Sequence, residues 1–338
     1  MIRKLSKVFF LLGLVALVGC QKKNEVGLYS IYQLDKYKQE KPLIKLPAEW
    51  EKQAGLMTAF PKGIEVYRST KNINSKGTNL FLVVFNPRLG IDLKPVLSTS
   101  AKTPSTFFSE ETGDVYAAIN AGFFTSTTSL SHVQFNNTVS SVNVRSLTRA
   151  LSGVNTTYYP TRAAFGLSKD FKPQVSWVYS VGTGNGVLYS YPTPSPNEEG
   201  KPAQAVPSAT FPQGGAIWDV ATVIGGSPML VKDSVINISA TNEMIAVDNT
   251  SSRARSAIGY LSNGNIVLLA AEGGNAPTAP GLTLKEVADI MLEAGCKGAI
   301  NLDGGGSSAM TVNGAQTIKP SDTAGERRVI SALIVKKR

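Results

Sequence analysis

Histidine is almost missing from this chain of 338 residues: His132 is the only one, and it lies in a stretch rich in Ser, Thr and Asn. A His-based triad or a His-rich metal site therefore has nothing to be built from, and His132 itself reads as a surface residue. Cysteine is nearly as scarce, with only Cys20 and Cys296. If Cys20 belongs to a leader boundary, no intramolecular disulfide remains, and the fold must rest on its core. Cys296 sits in an apolar helical run and reads as a buried, inert thiol. Charged residues are also somewhat few, at 17%, against 42% hydrophobic, a composition ordinary for a globular chain. No internal repeat is visible. No helix with interleaved basic and aromatic residues offers itself to nucleic acid.

What is present starts at the N-terminus. Arg3, Lys4 and Lys7 precede an apolar run from Val8 to Val18, the layout of a secretory leader. The run is shorter than the roughly 20 residues that a membrane-spanning helix needs. It ends in Leu17-Val18-Gly19-Cys20, which resembles a bacterial lipoprotein cleavage box. The expectation is a leader over 1–19, a lipidated Cys20, and an envelope protein held at the membrane by that lipid. Formal net charge is +10, and removing the three leader charges leaves +7. Lys22, Lys23, Lys36, Lys38, Lys41 and Lys45 crowd residues 20–49 and make a basic tether suited to anionic lipid.

From Trp50 to Arg338 the pattern is that of one large domain. Strand patterns cover Ile64–Ser69, 80–86, 91–97 and Val115–Asn120, with Asn86-Pro87-Arg88-Leu89-Gly90 as a turn. Residues 125–161 and 191–213 read as long irregular loops, the second because it holds six prolines between Pro192 and Pro212. The last third is clearer. Thr283 and Glu286 form a capping box opening a helix over 283–294 that Gly295 stops. Asn263-Gly264 and Asn313-Gly314 each mark a hairpin. A strand-dominated α+β fold follows, with mixed sheet, several hairpins and a few packing helices.

Two features carry chemistry. Asp303-Gly304-Gly305-Gly306-Ser307-Ser308 follows the short strand 299–302. Three glycines in a row let backbone N–H groups converge on an anion, and two hydroxyls add donors. The string lacks the Lys and following helix of a nucleotide phosphate loop, and a dinucleotide GxGxxG loop fails likewise. The alternative is a tight turn with Asp303 as its cap. The second feature is the Asn263-Gly264 hairpin. A two-residue loop sets Ser262 opposite Asn265 and so Arg255 opposite Glu272, with Cβ atoms ~4.5–5.5 Å apart. With histidine so scarce, acid–base work falls to carboxylates, the chemistry of glycosyl transfer.

Taken in order, several strings resemble the phosphodiester glycosidase family: Ile119-Asn120-Ala121-Gly122-Phe123-Phe124, Ile224-Gly225-Gly226-Ser227-Pro228-Met229-Leu230, Arg255-Ser256-Ala257-Ile258-Gly259, Glu272-Gly273, Gly281-Leu282-Thr283-Leu284 and Asn301-Leu302-Asp303-Gly304-Gly305-Gly306-Ser307-Ser308. Ala121 stands where the family usually has the first of two glycines, and Glu272-Gly273-Gly274 lacks the Arg that many members carry. The resemblance implies hydrolysis of the sugar C1–O bond in a sugar-1-phosphodiester or phosphoglycan. It implies Asp303, Glu272 and Arg255 as catalytic residues. It implies Asn120, Gly122, Gly225, Gly226, Asn301, Gly304, Gly305, Gly306, Ser307 and Ser308 as substrate-binding ones. No cofactor is required, although Asp303 with another acid could hold Ca²⁺ or Mg²⁺. Two other functions stay open on the same fold: a non-catalytic glycan-binding lipoprotein, and a metal-dependent phosphodiesterase.

Overall fold

Leu80–Phe85 is an unbroken apolar strand, and both of its faces are buried. Phe81, Val83 and Phe85 point into the largest apolar cluster, whereas Leu80, Leu82 and Val84 point into a second. This period-2 split explains the absence of polar alternation: the sheet to which the strand belongs is covered on both sides. The computed structural model describes residues 42–338. The expected leader, Cys20 and the tether up to residue 41 lie outside the described residues.

That sheet has eight strands in the order Glu51–Lys52, Ile64–Ser69, Leu80–Phe85, Ile266–Ala271, Arg255–Leu261, Cys296–Asn301, Met229–Lys232, Val235–Ile236. A seven-stranded sheet centres on Pro173–Val181, Arg162–Leu167 and Thr222–Gly225. A five-stranded one is built on Val115–Asn120, Val329–Lys337 and Ile91–Lys102. The pairings among the described strands are antiparallel. Side chains of all three sheets share the largest cluster, among them Ile258, Ile300, Phe165, Ile224, Ile119 and Leu333. On the outer face of the eight-stranded sheet lies the helix Leu284–Glu293, which buries Leu284, Val287, Ala288, Ile290 and Met291. Each large apolar side chain there contributes about 1.5–3 kcal/mol. The helix opens on the expected capping box, with Glu286 N–H donating to Thr283 Oγ1 (3.2 Å) and Thr283 N–H to Glu286 Oε2 (2.8 Å). The strand-dominated α+β fold is thus the one that the sequence pattern implies, except that the described sheets are antiparallel where a mixed sheet is expected.

Three expectations need correction. The compact unit begins at Leu43 rather than at 50. Ile44 is buried in the cluster under the helix, and Leu43 N–H donates to Glu65 Oε2 (2.8 Å). Residues 125–161 are not a structureless loop, since they contain the hairpins Val133–Phe135/Thr138–Ser141 and Leu147–Leu151/Val154–Tyr158. Their strands are short and mix Ser, Thr and Asn with only a few apolar residues, so the alternation that announces them is weak. The third correction is register. Leu261 N–H donates to Asn265 O and Gly264 N–H to Leu261 O, both at 2.9 Å, so the loop is Ser262-Asn263-Gly264 with Gly264 at φ +87°. Arg255 consequently faces Ala271, not Glu272. A one-residue slip moves a side chain to the other face of the sheet.

Candidate active site

The three sheets end together at one place. Val115–Asn120 runs into Ala121-Gly122, Thr222–Gly225 into Gly226-Ser227, and Cys296–Asn301 into Leu302-Asp303. Backbone hydrogen bonds stitch these ends: Asp303 N–H to Ala121 O (3.0 Å), Ser227 N–H to Asn301 O (2.9 Å) and Gly226 N–H to Ala163 O (3.0 Å). The approach is so close that a Cβ on Gly122 would strike Ser131 and the Gly225 carbonyl, and one on Gly226 the Asn301 carbonyl. These glycines are therefore packing positions, and the N–H groups of Gly225 and Gly226 are already donated to His132 O and Ala163 O.

Asn120 is fully buried and acts as a strut, not as a ligand for sugar hydroxyls. Its Nδ2 donates to Asp303 O (2.6 Å), while its Oδ1 accepts from Ser256 Oγ (2.6 Å) and Ala309 N–H (3.3 Å). Ser308 is buried beside it, with its Oγ 3.3 Å from Ser256 Oγ. Asn301 is likewise buried and donates from Nδ2 to Ser227 O (2.7 Å).

Asp303 has different surroundings. It is only partly covered, and its carboxylate accepts from Gly304 N–H (2.9 Å) and from the Ser307 side chain. Burial pushes its pKa above the ordinary carboxylate value; the two hydrogen bonds and the nearby Arg327 charge oppose that rise without cancelling it. The expected anion nest does not form in this loop. Gly304 N–H is spent on Asp303 itself and Gly305 N–H on Ala254 O (2.8 Å). Gly306 leaves room for its neighbours instead, because a Cβ there would strike Arg327 and Asp322, whose bidentate pair (2.8 and 3.0 Å) lies over the loop. Arg327 was not singled out from the sequence, because its segment carries no recognisable string. It nevertheless places a half-exposed guanidinium beside Asp303, in a site where the Glu272-Gly273-Gly274 string lacks its Arg.

Arg255 and Glu272 are not the expected ion pair. Arg255 is 2% exposed and donates to the carbonyls of Leu282 (2.9 Å), Asp248 (2.5 Å) and Ser251 (2.9 Å). Burial pushes its pKa down to about 10, Asp248 working against that shift and Arg253 adding to it. Glu272 accepts from Asn79 Nδ2 (2.7 Å), Lys319 N–H (3.0 Å) and Asn275 Nδ2 (3.1 Å), and so anchors the segment that leads to Arg327. Glu272 and Asp303 still share one end of the eight-stranded sheet, on the two neighbours of the Arg255 strand. Two strand spacings put their backbones roughly 10 Å apart.

A second feature adjoins these residues. A cavity of about 390 Å³ is lined by Phe123, Phe124, Asn143, Arg149, Arg162 and Ser227, among others. Its floor rests on Glu243, which is fully buried and was not legible in the sequence. The Glu243 carboxylate accepts five hydrogen bonds: from Ser227 Oγ (2.5 Å), Ser239 Oγ (2.6 Å), Met229 N–H (2.8 Å), Ala163 N–H (2.9 Å) and Trp177 Nε1 (3.1 Å). His132, expected on the surface, is buried below the cavity wall, and burial pushes its pKa down to about 4. Cys296 is buried as expected, with its thiol pushed up to about 12. Among the described residues no group of three or more His, Cys, Asp or Glu side chains gathers as metal ligands.

Comparison with known proteins bears on this geometry. The phosphodiester glycosidase family model matches residues 113–336. Human N-acetylglucosamine-1-phosphodiester alpha-N-acetylglucosaminidase is 42% identical over 69 residues, which is 20% of this chain and 13% of the human protein. The bovine enzyme of the same name is 41% identical over 69 residues, again 20% and 13%. The match thus spans only a small part of these relatives. Among solved structures, the zebrafish enzyme's catalytic domain, auto-inhibited by its pro-peptide, superposes with TM-score 0.55 at 17% identity, over 86% of this chain and 89% of that one. A hypothetical protein from Synechocystis gives TM-score 0.55 at 21% identity, over 83% and 63%. At such identities these structures speak for a shared fold.

Proposed function

Because this chain belongs to the phosphodiester glycosidase family, we propose that it cleaves the sugar C1–O bond of a sugar-1-phosphodiester, water adding to give free sugar and a phosphomonoester. The observation that carries this reading is Asp303: a partly covered carboxylate at a strand end, held by its own loop, with the Arg327 cation beside it. The leaving group is a stable phosphate anion, so protonating it matters less than in an ordinary glycoside. The site has to stabilise positive charge on the sugar and negative charge on the departing phosphate. Asp303 does the first and Arg327 the second. Glu272 and Arg255 serve as positioning residues, the one fixing the segment that carries Arg327 and the other fixing the start of the central strand.

The raised pKa of Asp303 has a consequence for rate. Its ionised form is the active one in this reading, so turnover falls as pH drops through that raised value. The test is product analysis on N-acetylglucosamine 1-phosphodiesters, the substrate class in the curated relatives' names. Free sugar plus phosphomonoester is the expected result. Sugar 1-phosphate would mean P–O cleavage and a phosphodiesterase. Binding without any product would mean a glycan-binding protein.

The anchor is a separate proposal. The leader and cleavage-box residues support lipidation at Cys20 and a place in the cell envelope. Cys20→Ser should shift the protein to the soluble fraction. Continued membrane retention with no lipid label on Cys20 would end that reading.

A further inference from the structure

We propose that the cavity beside Ser227 is a second binding subsite, separate from Asp303, that takes a negatively charged group (a carboxylate or a phosphate) on a saccharide unit of the ligand. Its volume of about 390 Å³ is in the range of small-ligand pockets. The wall has two characters. Phe123, Phe124, Leu130 and Leu147 offer apolar surface that suits the C–H face of a sugar ring. Against them stand Arg149, Arg162 and Asn143, and none of the lining residues is acidic.

Two of the lining residues, Arg162 and Asn143, carry donors without partners among the described residues. Arg162 gives one long hydrogen bond, Nη2 to Met244 O at 3.3 Å, and its buried Nε has no partner among the described residues. Asn143 Oδ1 accepts from His132 N–H (2.7 Å), which fixes the amide's orientation and leaves Nδ2 buried without a partner among the described residues. Buried donors normally find acceptors, so a site with surplus donors points to an oxygen-rich, anionic ligand. The nearest buried carboxylate, Glu243, is already saturated by five neutral donors. Burial holds the pKa of Arg162 below its ordinary value; Glu243 counters this, while the like charge of Arg149 adds to it. Two guanidinium groups that repel across one cavity are relieved by an anion between them. Arg149 Nε lies 3.9 Å from the exposed Glu199, which places a weak competing acid at the rim only.

The cavity is also coupled to Asp303 by position. Ser227 N–H donates to Asn301 O, and Asp303 N–H to Ala121 O, two residues before Phe123. A saccharide whose reacting end lies at Asp303 would set its neighbouring unit here. That link rests on the glycosidase reading, whereas anion binding itself does not.

Calorimetric titration of the mature full chain in low-salt, phosphate-free buffer, with glucuronate, glucose 6-phosphate and neutral glucose, tests the subsite. The expected result is binding of one or both acidic sugars and none of glucose, the two acidic probes telling carboxylate from phosphate. Arg162→Gln should weaken that binding by about tenfold or more. Asn143→Asp keeps the acceptor for His132 N–H but puts a negative charge into the cavity wall, and should weaken it at least as much. Asp303→Asn should leave it nearly unchanged. Melting temperature is the folding control, and Asn143→Asp decides the matter if Arg162→Gln does not fold. Overturning results are no binding of any probe, equal binding of glucose, insensitivity to Asn143→Asp, or loss through Asp303→Asn instead. Acid-sugar binding in a protein without turnover would uphold the subsite and sink the reaction.

Discussion

Asn120 and Glu243 organise the two halves of the candidate site by opposite means. Both are fully buried. Asn120, a neutral amide, donates once and accepts twice, locking the Asp303 segment to two sheets. Glu243 can only accept, and five neighbours donate to it. The consequence differs. Around Asn120 the motif glycines and serines form a closed framework that presents one carboxylate, Asp303. Above Glu243, Arg162 Nε and Asn143 Nδ2 are left buried without partners among the described residues, and both residues line a cavity. A string that looks like a site can thus be mostly scaffold, while binding capacity collects where no string exists.

Substitutions at the two hubs test this contrast. The largest effect is expected at Glu243→Gln, which turns one acceptor into an amide facing N–H and O–H donors. Two or more donors lose their partner at ~1–3 kcal/mol each. Urea unfolding should show a loss of about 4 kcal/mol, and a loss below about 1 kcal/mol would contradict the saturated-carboxylate account. Asn120→Ala should cost less, about 2–3 kcal/mol, because Ser256 and Ser308 can repartner with each other. A larger loss there than at Glu243 would reverse the ranking.

Smaller effects sharpen the Asp303 side. Arg327 and its partner Asp322 are both partly exposed, at 47% and 35%, so solvent screens the pair and Arg327→Gln should change stability little. Its turnover should nevertheless fall about tenfold if the cation meets the phosphate. Unchanged turnover would leave Arg327 as loop clamp alone. The smallest effect concerns stability and pH. Burial raises the folded pKa of Asp303, so the folded state keeps a proton that the unfolded chain has already released. Wild-type stability is therefore lost as pH rises from the ordinary carboxylate value through the raised one. Asp303→Asn lacks this loss, and its melting temperature relative to wild type should climb over that window. A flat difference would mean that Asp303 is not desolvated.

Legibility followed physical cause. Ile64–Ser69 and Val115–Asn120 occur with the bounds that their β-rich patterns imply, because mostly buried strands leave a strong signal. The two Asn-Gly dipeptides show the limit. At Asn313-Gly314 both residues take positive φ, and Val312 pairs Ala315 across a two-residue loop. At Asn263-Gly264 only Gly264 does, and the loop takes a third residue. The dipeptide alone cannot distinguish these, since Asn tolerates either conformation. The error carried Arg255 and Glu272 to the wrong mutual placement. The helix Pro104–Glu110 escaped because it is short, although Thr103 caps it by accepting from Thr106 N–H (3.1 Å). Glu243 and Arg327 escaped for another reason. A charged residue in an irregular segment reads as solvated, and only tertiary contacts make one a buried hub and place the other on Gly306.

The central claim is that Asp303 does chemistry while its neighbours hold it in place. Asp303→Asn keeps the size of the side chain and its acceptor for Gly304 N–H, and removes the charge. Hydrolysis of a sugar-1-phosphodiester by the two proteins, at a pH above the raised Asp303 value, measures the charge directly. The account predicts a loss in kcat of roughly 100-fold or more, about 2.7 kcal/mol, with the fold intact by melting temperature. Equal turnover in wild type and Asp303→Asn would contradict it, whatever the geometry around the loop.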